Sequence, residues 1–268
     1  MNVSRFAGER TVVRAAWGRF SQPEAIYELP VEDGVTRFED AQRAEHRVLG
    51  IEQRFGAAWT ARAEVYDKSF SHLRPRFENL YDRLVIFPEL HADRVRIAPE
   101  SASARGLEIL VRGDGGGPIS GWISYARSAV RDRLDGVDVP RSWDQRDSVS
   151  FSVNCRRKRW NFNVAGTWHT GWPTTPIVAR LENGRIVSDL GPLNSDRLPT
   201  YRRVDFRVSR DSGSFGLFLD LFNVLNFSNA HRVQSFTFDV QPDGTVRTTA
   251  NTEAIFGVVP SFGATWRF

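Results

Sequence analysis

Five histidines, one cysteine and scattered carboxylates are the residues of this 268-residue chain that could hold a metal or move a proton, and their spacing supports neither task. His46, His72, His91, His169 and His231 never fall at an HExxH or other paired-ligand spacing. Cys155 has no second cysteine, which excludes an internal disulfide and a CxxC zinc site. Gly113 to Gly117 reads Gly-Asp-Gly-Gly-Gly; it lacks the Lys-Ser/Thr of a phosphate loop and precedes no helical pattern, so it reads as a turn. Asp239, Asp243 and Gly244 have the flavour of a calcium loop without its spacing, and Pro242-Asp243-Gly244 reads as a hairpin tip. Asp132 and Asp135 fall in an expected long loop with no partner in view. No catalytic residue, metal or cofactor is expected, and the chemistry that remains is binding.

The elements that must position any binding residue are strands. Trp160, Phe162, Val164, Gly166 and Trp168 share one face of an extended segment, while Asn161, Asn163, Ala165, Thr167 and His169 share the other. The same split recurs in Val149, Phe151 and Val153 against Ser150, Ser152 and Asn154, and in Val204, Phe206 and Val208 against Asp205, Arg207 and Ser209. Alternation predicts ten strands: Thr11 to Phe20, Gln42 to Phe55, Trp59 to Phe70, Ser103 to Arg112, Ser120 to Arg131, Arg146 to Arg156, Trp160 to Thr170, Arg202 to Arg210, Ser214 to Val224 and Ser261 to Phe268. Most approach the roughly 9–11 residues that a tilted strand needs to cross a bilayer, against about 5–6 in ordinary sheets.

Composition narrows the classes further. With 41% apolar, 12% aromatic and 25% charged residues the chain is neither disordered nor collagen-like. No apolar run approaches the roughly 18 residues of a spanning helix. The first twenty residues carry Arg5, Glu9, Arg10, Arg14 and Arg19 with no apolar run between them, so no secretory signal is legible there. The net charge is +4, and all bases except Lys68 and Lys158 are arginine. Arginine's fork suits carboxylate or phosphate, although biased codon usage accounts for the same count. The arginines are dispersed and form no recognition-helix pattern, so nucleic acid is not an expected partner.

The connections sort the strands into a meander. Those around Gly56, Gly113 to Pro118, Arg156 to Arg159 and Asp211 to Gly213 are tight, whereas Ser21 to Ala41, Ser71 to Ala102, Asp132 to Gln145, Gly171 to Tyr201 and Asn226 to Pro260 are long and polar. Strict alternation of short and long connections is the plan of a bacterial outer-membrane barrel, which has short periplasmic turns and long outer loops. Trp17, Trp59, Trp160, Trp168 and Trp266, with Phe55, Phe262 and Phe268, lie on the apolar face near strand ends, where such a barrel places its interfacial girdles. The expected fold is all-β: an antiparallel up-and-down transmembrane β-barrel segment of about ten strands, forming one unit over residues 1–268.

Three stretches carry a resemblance. Tyr201 to Ser209 (YRRVDFRVS), Leu217 to Asn226 (LFLDLFNVLN) and Pro260 to Phe268 (PSFGATWRF) resemble the C-terminal end of the TonB-dependent outer-membrane receptors, and Ala44 to Glu52, Gly121 to Tyr125 and Pro140 to Asp147 look like barrel strands of the same family. The resemblance implies that the intact protein imports a nutrient such as an iron-siderophore or a cobalamin-like ligand across the outer membrane of a Gram-negative bacterium. It implies outer-membrane lipid and the barrel-assembly machinery as partners, TonB in the full-length form alone, and no enzymatic activity. The terminal aromatics Phe262, Trp266 and Phe268 match that family's assembly signal. Ligand is implied to be captured by outer loops and the upper lumen, where Arg74, Arg76, His91, Trp143, His169 and Trp172 are the candidate contacts. The lumen-facing Arg62, Glu64, Glu108, Arg112, Asp205 and Arg207 are implied to pair structurally.

The family's barrel resembles the 22-stranded plugged transporters, which at this chain's spacing need roughly 590 residues. The expectation is therefore less than half a barrel, a truncated or miscalled reading frame covering the last ten strands, with no signal peptide, TonB-binding segment or plug legible in it. Two other classes compete. One is a self-contained ten-stranded outer-membrane enzyme built on His169 and a loop carboxylate. The other is a soluble β-sandwich binding module in which Val153, Phe206 and Leu219 meet in a shared interior.

Overall fold

The computed structural model describes residues 1–82, 84–114 and 116–267. Eleven strands follow one another as an antiparallel meander: β1 (Asn2–Phe6), β2 (Thr11–Gln22), β3 (Gln42–Phe55), β4 (Trp59–Ser71), β5 (Ser101–Asp114), β6 (Ile119–Leu134), β7 (Asp147–Arg157), β8 (Trp160–His169), β9 (Tyr201–Asp211), β10 (Phe215–Phe222) and β11 (Val259–Trp266). All ten expected strands are present, with ends shifted by three residues or fewer. The additional strand, β1, is too short for its alternation to register; it pairs with β2 from Asn2 opposite Ala16 to Phe6 opposite Val12. Short connections still alternate with long ones throughout. Among the described residues β1 and β11 each pair with one neighbour, so the sheet is an open arc.

One boundary needs correction. Asp132 does not lie in a loop, because β6 continues to Leu134 and folds back on itself through Val137–Pro140. Asp135 and Gly136 occupy the turn with φ of 48° and 74°, the left-handed pair that a tight Asp-Gly hairpin requires. Three of the other long connections also carry paired segments: Arg76–Asn79 with Arg94–Ile97, Pro173–Thr174 with Asp196–Arg197, Ile177–Glu182 with Arg185–Leu190, and Asn229–Val240 with Val246–Ile255. Pro242 to Gly244 forms the tip of the last of these hairpins.

The apolar face of the wall meets no protein. Leu49 is 54% exposed, Ile51 47% and Val153 46%, and Leu219 is also exposed, so the shared interior of a sandwich does not exist. Neighbouring strands place these residues in register: Ile51 opposite Val13 and Ala63, Ile123 opposite Val111 and Phe151, and Val153 opposite Val164. A continuous belt of this kind far exceeds the few hundred Å² of apolar surface that a water-soluble monomer leaves open, and hydrocarbon is the medium it suits. Trp59, Phe55 and Trp160 edge the belt towards the short turns, and Trp168 edges it towards the long loops.

Glycines on both faces make room for rings on the adjacent strand. Trp59 lies opposite Gly113, Tyr66 opposite Gly106, Phe151 opposite Gly166 and Phe218 opposite Gly263. A Cβ at Gly166 would stand 2.5 Å from the Phe151 ring, and one at Gly106 would stand 2.5 Å from the Tyr66 hydroxyl. The ring covers backbone that a glycine would otherwise leave bare, a stabilising arrangement for sheets. On the opposite face charges pair as expected for an aqueous lumen: Arg62 with Glu64 at 2.6 Å, Arg14 with Glu52 at 3.1 Å, Arg203 with Asp205 at 3.0 Å and Arg207 with Asp220 at 3.0 Å.

An arginine in the middle of the belt should be far more costly than one a single residue away on the lumen face. Val153→Arg is expected to destabilise the folded chain in lipid vesicles by about 2–4 kcal/mol, and Ser152→Arg by under about 1 kcal/mol. Urea unfolding followed by tryptophan fluorescence measures both, and equal losses would contradict the assignment of faces.

Candidate functional site

Nearly all of the packed interior lies at the long-loop end. Leu80, Ile97, Leu198 and Val233 are buried there, with the polar Asn79, Asp132, Ser142, Asp144, Thr175 and Asn194. Polar groups this deep need partners, and apart from the Ser142 hydroxyl, which has none, the partners they find tie the loops to one another.

Arginines line a cleft of about 310 Å³ between the connections 23–41 and 72–100, with Arg74, Arg76, Arg94 and Arg141 on its walls. Arg74 reaches Glu24 at 3.4 Å and Glu28 at 3.1 Å. Arg94 holds both carboxylate oxygens of Asp33, with Nε donating at 2.6 Å and Nη2 at 2.5 Å. Arg76 and Arg141 converge on Asp132, at 2.6 and 2.5 Å. Asp132 is 2% exposed, and two guanidinium groups compensate a carboxylate that water cannot reach. The Ala25 N–H and then Arg74 hold the Glu28 carboxyl below its ordinary range. Burial works against the charge of Arg76, yet Glu78 and Asp132 together outweigh it and its pKa rises.

A second cluster is aromatic. Trp143 meets Trp172 edge-on at 4.8 Å between ring centroids; Trp172 stacks on His169 at 5.6 Å, and His169 stacks on Tyr201 at 4.7 Å. The imidazole is anchored through Nδ1 to the Thr170 carbonyl at 2.9 Å. Trp143 lies between two fixed points: Arg141 grips Asp132, and Asp144 pairs with Arg197 while accepting the Val130 N–H at 2.8 Å. Arg197 also donates to the carbonyls of Asp144 and Gly171, at 2.8 and 2.9 Å, which joins this loop to the connection 170–200.

Of the six expected contacts, Arg74 and Arg76 enter the cleft, and Trp143, His169 and Trp172 enter the aromatic cluster. His91 joins neither; it is exposed just after the short 3-10 turn Pro88–Leu90. Arg94, Arg141, Arg197, Asp132, Asp144 and Tyr201 were not expected. Tyr201 was legible as the residue beginning β9 directly after the long loop that supplies Trp172, whereas the arginine pairings depend on contacts between distant loops. Phe262 and Trp266 stand on the outer surface of β11, 86% and 74% exposed, and Phe268 lies outside the described residues. Each arginine of the cleft is paired with a carboxylate, so the cleft is a network of ion pairs that ties the loops, while the stacked rings offer flat faces to a planar group. Among the described residues no group of three or more His, Cys, Asp or Glu is placed to hold a metal ion.

Asp132→Ala should leave Arg76 and Arg141 facing a void and loosen the segment Arg76–Asn79 by about 2 kcal/mol, read as faster amide hydrogen exchange there with the wall strands unchanged. Because the Glu28 carboxyl is depressed, its contribution to holding the connection 23–41 is complete above its unfolded value near 4.5 and fades only as pH falls below that value. Protection factors in this connection, which remove the intrinsic pH dependence of amide exchange, should therefore be flat from pH 7 to 5 and fall only under stronger acid.

No protein-family model and no curated protein sequence matches the chain. Solved structures do match. The ferripyoverdine receptor of the outer membrane of Pseudomonas aeruginosa aligns over 99% of this chain and 32% of its own length at TM-score 0.59 and 13% identity. The outer membrane transporter YddB from Escherichia coli aligns over 98% and 39% at TM-score 0.63, and the copper transporter OprC over 98% and 39% at TM-score 0.64, each at 12% identity. The chain thus spans roughly a third to two fifths of the length of these proteins. In fold, this arc of strands is similar to a stretch of the β-barrel of these outer-membrane receptors and transporters.

Proposed function

We propose that the chain forms part of the wall and outer mouth of a TonB-dependent importer in the outer membrane of a Gram-negative bacterium, the intact protein taking up a nutrient such as an iron-siderophore or cobalamin-like ligand. The observation that carries this reading is segregation. The greasy face of the wall has no protein partner, while the packed arginines, carboxylates and stacked rings gather at the long-loop end. Similar structures are described as a receptor bound to ferripyoverdine, a ferric citrate transporter and a copper transporter, which favours uptake of a metal-bearing nutrient over catalysis. Siderophore chelates carry planar groups, which the Trp143–Trp172–His169–Tyr201 cluster suits, while the cleft arginines, each paired with a carboxylate, hold the surrounding loops in place. Insertion falls to the barrel-assembly machinery, with Phe262, Trp266 and Phe268 as its signal. Energy from TonB reaches the intact form alone.

Trp143→Ala with Trp172→Ala, introduced in the source bacterium, should raise the half-saturating concentration for labelled ferric-siderophore uptake by about tenfold without lowering the amount of protein in the outer membrane. Uptake of a panel of ferric siderophores and cobalamin that is unchanged when the whole segment is deleted would overturn the reading.

A further inference from the structure

The short-turn rim carries a feature that nutrient capture at the opposite end does not use. The end of β7 and the turn that follows it read Arg156-Arg157-Lys158-Arg159, and all four residues are exposed. Arg157 pairs across the hairpin with Trp160, and Trp160 pairs with Arg210 on β9, so two arginines flank an outward-facing indole in one register line. The Arg210 guanidinium lies 5.5 Å from the centre of the Trp160 ring. Among the described residues none of Arg157, Lys158, Arg159 and Arg210 forms an ion pair, while the neighbouring Asp211 is held by Arg267 at 3.2 Å.

One register step towards the middle of the wall the same face turns wholly apolar, with Cys155, Phe162, Val208, Leu219 and Phe262 side by side. A groove of about 570 Å³ runs down from the charged line. Trp160 and Arg210 stand at its mouth; Val208, Leu217, Leu219 and Ala264 line it, and Phe262 forms a wall. Forked cations beside an interfacial tryptophan, directly above an oily channel, match an amphiphile with an anionic head. Free phosphate has no use for the channel, and an acidic protein has none for a groove continuous with the lipid-facing belt.

We propose that the short-turn rim at Arg157, Trp160 and Arg210 binds the phosphate of an anionic diacyl phospholipid, one acyl chain of which lies in the groove beneath. This rests on reading the apolar belt as lipid-facing. The full chain, refolded in mild detergent, is offered dioleoyl-phosphatidylglycerol or dioleoyl-phosphatidylcholine, and the lipids it retains are counted by native mass spectrometry.

The expected result is about tenfold greater retention of phosphatidylglycerol, abolished in Arg157→Gln/Arg210→Gln and kept in Arg5→Gln/Arg10→Gln, which removes the same charge elsewhere. Ala264→Phe, which fills the groove and leaves every charge in place, should lower retention of phosphatidylglycerol as well. Equal retention of the two lipids by the unaltered chain, a preference that survives loss of both arginines, or displacement by equimolar inorganic phosphate would each overturn the site. Entry into vesicles of both lipids without preference sinks this inference alone, whereas failure to enter either sinks it together with the importer reading.

Discussion

Hydrocarbon offers no hydrogen bonds, and the rest of this structure follows from that constraint. Each backbone N–H and C=O within the bilayer must be met by an adjacent strand, which commits the wall to an uninterrupted ladder and forbids irregular backbone there. Irregularity is displaced to the ends. The short turns at one end have room for little more than a change of direction, and the long connections at the other become the part of the chain where side chains can pack against one another. The usual relation between core and surface is inverted: the apolar face of the wall is exposed, its other face is half-buried, and most of the buried residues gather at the long-loop end.

In those loops electrostatics takes over from hydrophobic packing. Asp132 at the end of β6 draws in Arg76 from one loop and Arg141 from another, and Asp144 draws in Arg197 from a third. Five bases and carboxylates thereby set the spacing of three loops and hold Trp143 where it can meet Trp172. On the importer reading proposed above, a ligand that met these loops would have less conformational entropy to remove, because ion pairs already tie them together.

The wall was legible in the sequence because period-two alternation is a local property. Trp160 to Trp168 declares its two faces without reference to any other segment, and the strands that lack a protein core retain that signal undiluted. The loop hairpins were less legible, since Arg76–Asn79 and Arg94–Ile97 are four residues each and their pairing joins positions about twenty residues apart. The aromatic cluster was half visible: Trp143, His169 and Trp172 stand out by residue type, while Tyr201 was absorbed into a strand pattern. The arginine cleft was hidden in a different way. With 34 arginines in the chain, no single one is conspicuous, and only the positions of Asp33, Glu24 and Asp132 select which of them matter.

The rings seated on glycines have a consequence for how the arc avoids misassembly. Sliding one strand by a single residue would turn its greasy side inward and is penalised everywhere, but sliding it by two keeps every side chain on its proper face, so polarity alone cannot detect the error. Bulk can. A two-residue slip would drive Tyr66 against Glu108 or Ala104 in place of Gly106, and Phe151 against Val164 or Trp168 in place of Gly166. These pairs work like teeth in a ratchet, proofreading the even-numbered misalignments to which amphipathic patterning is blind.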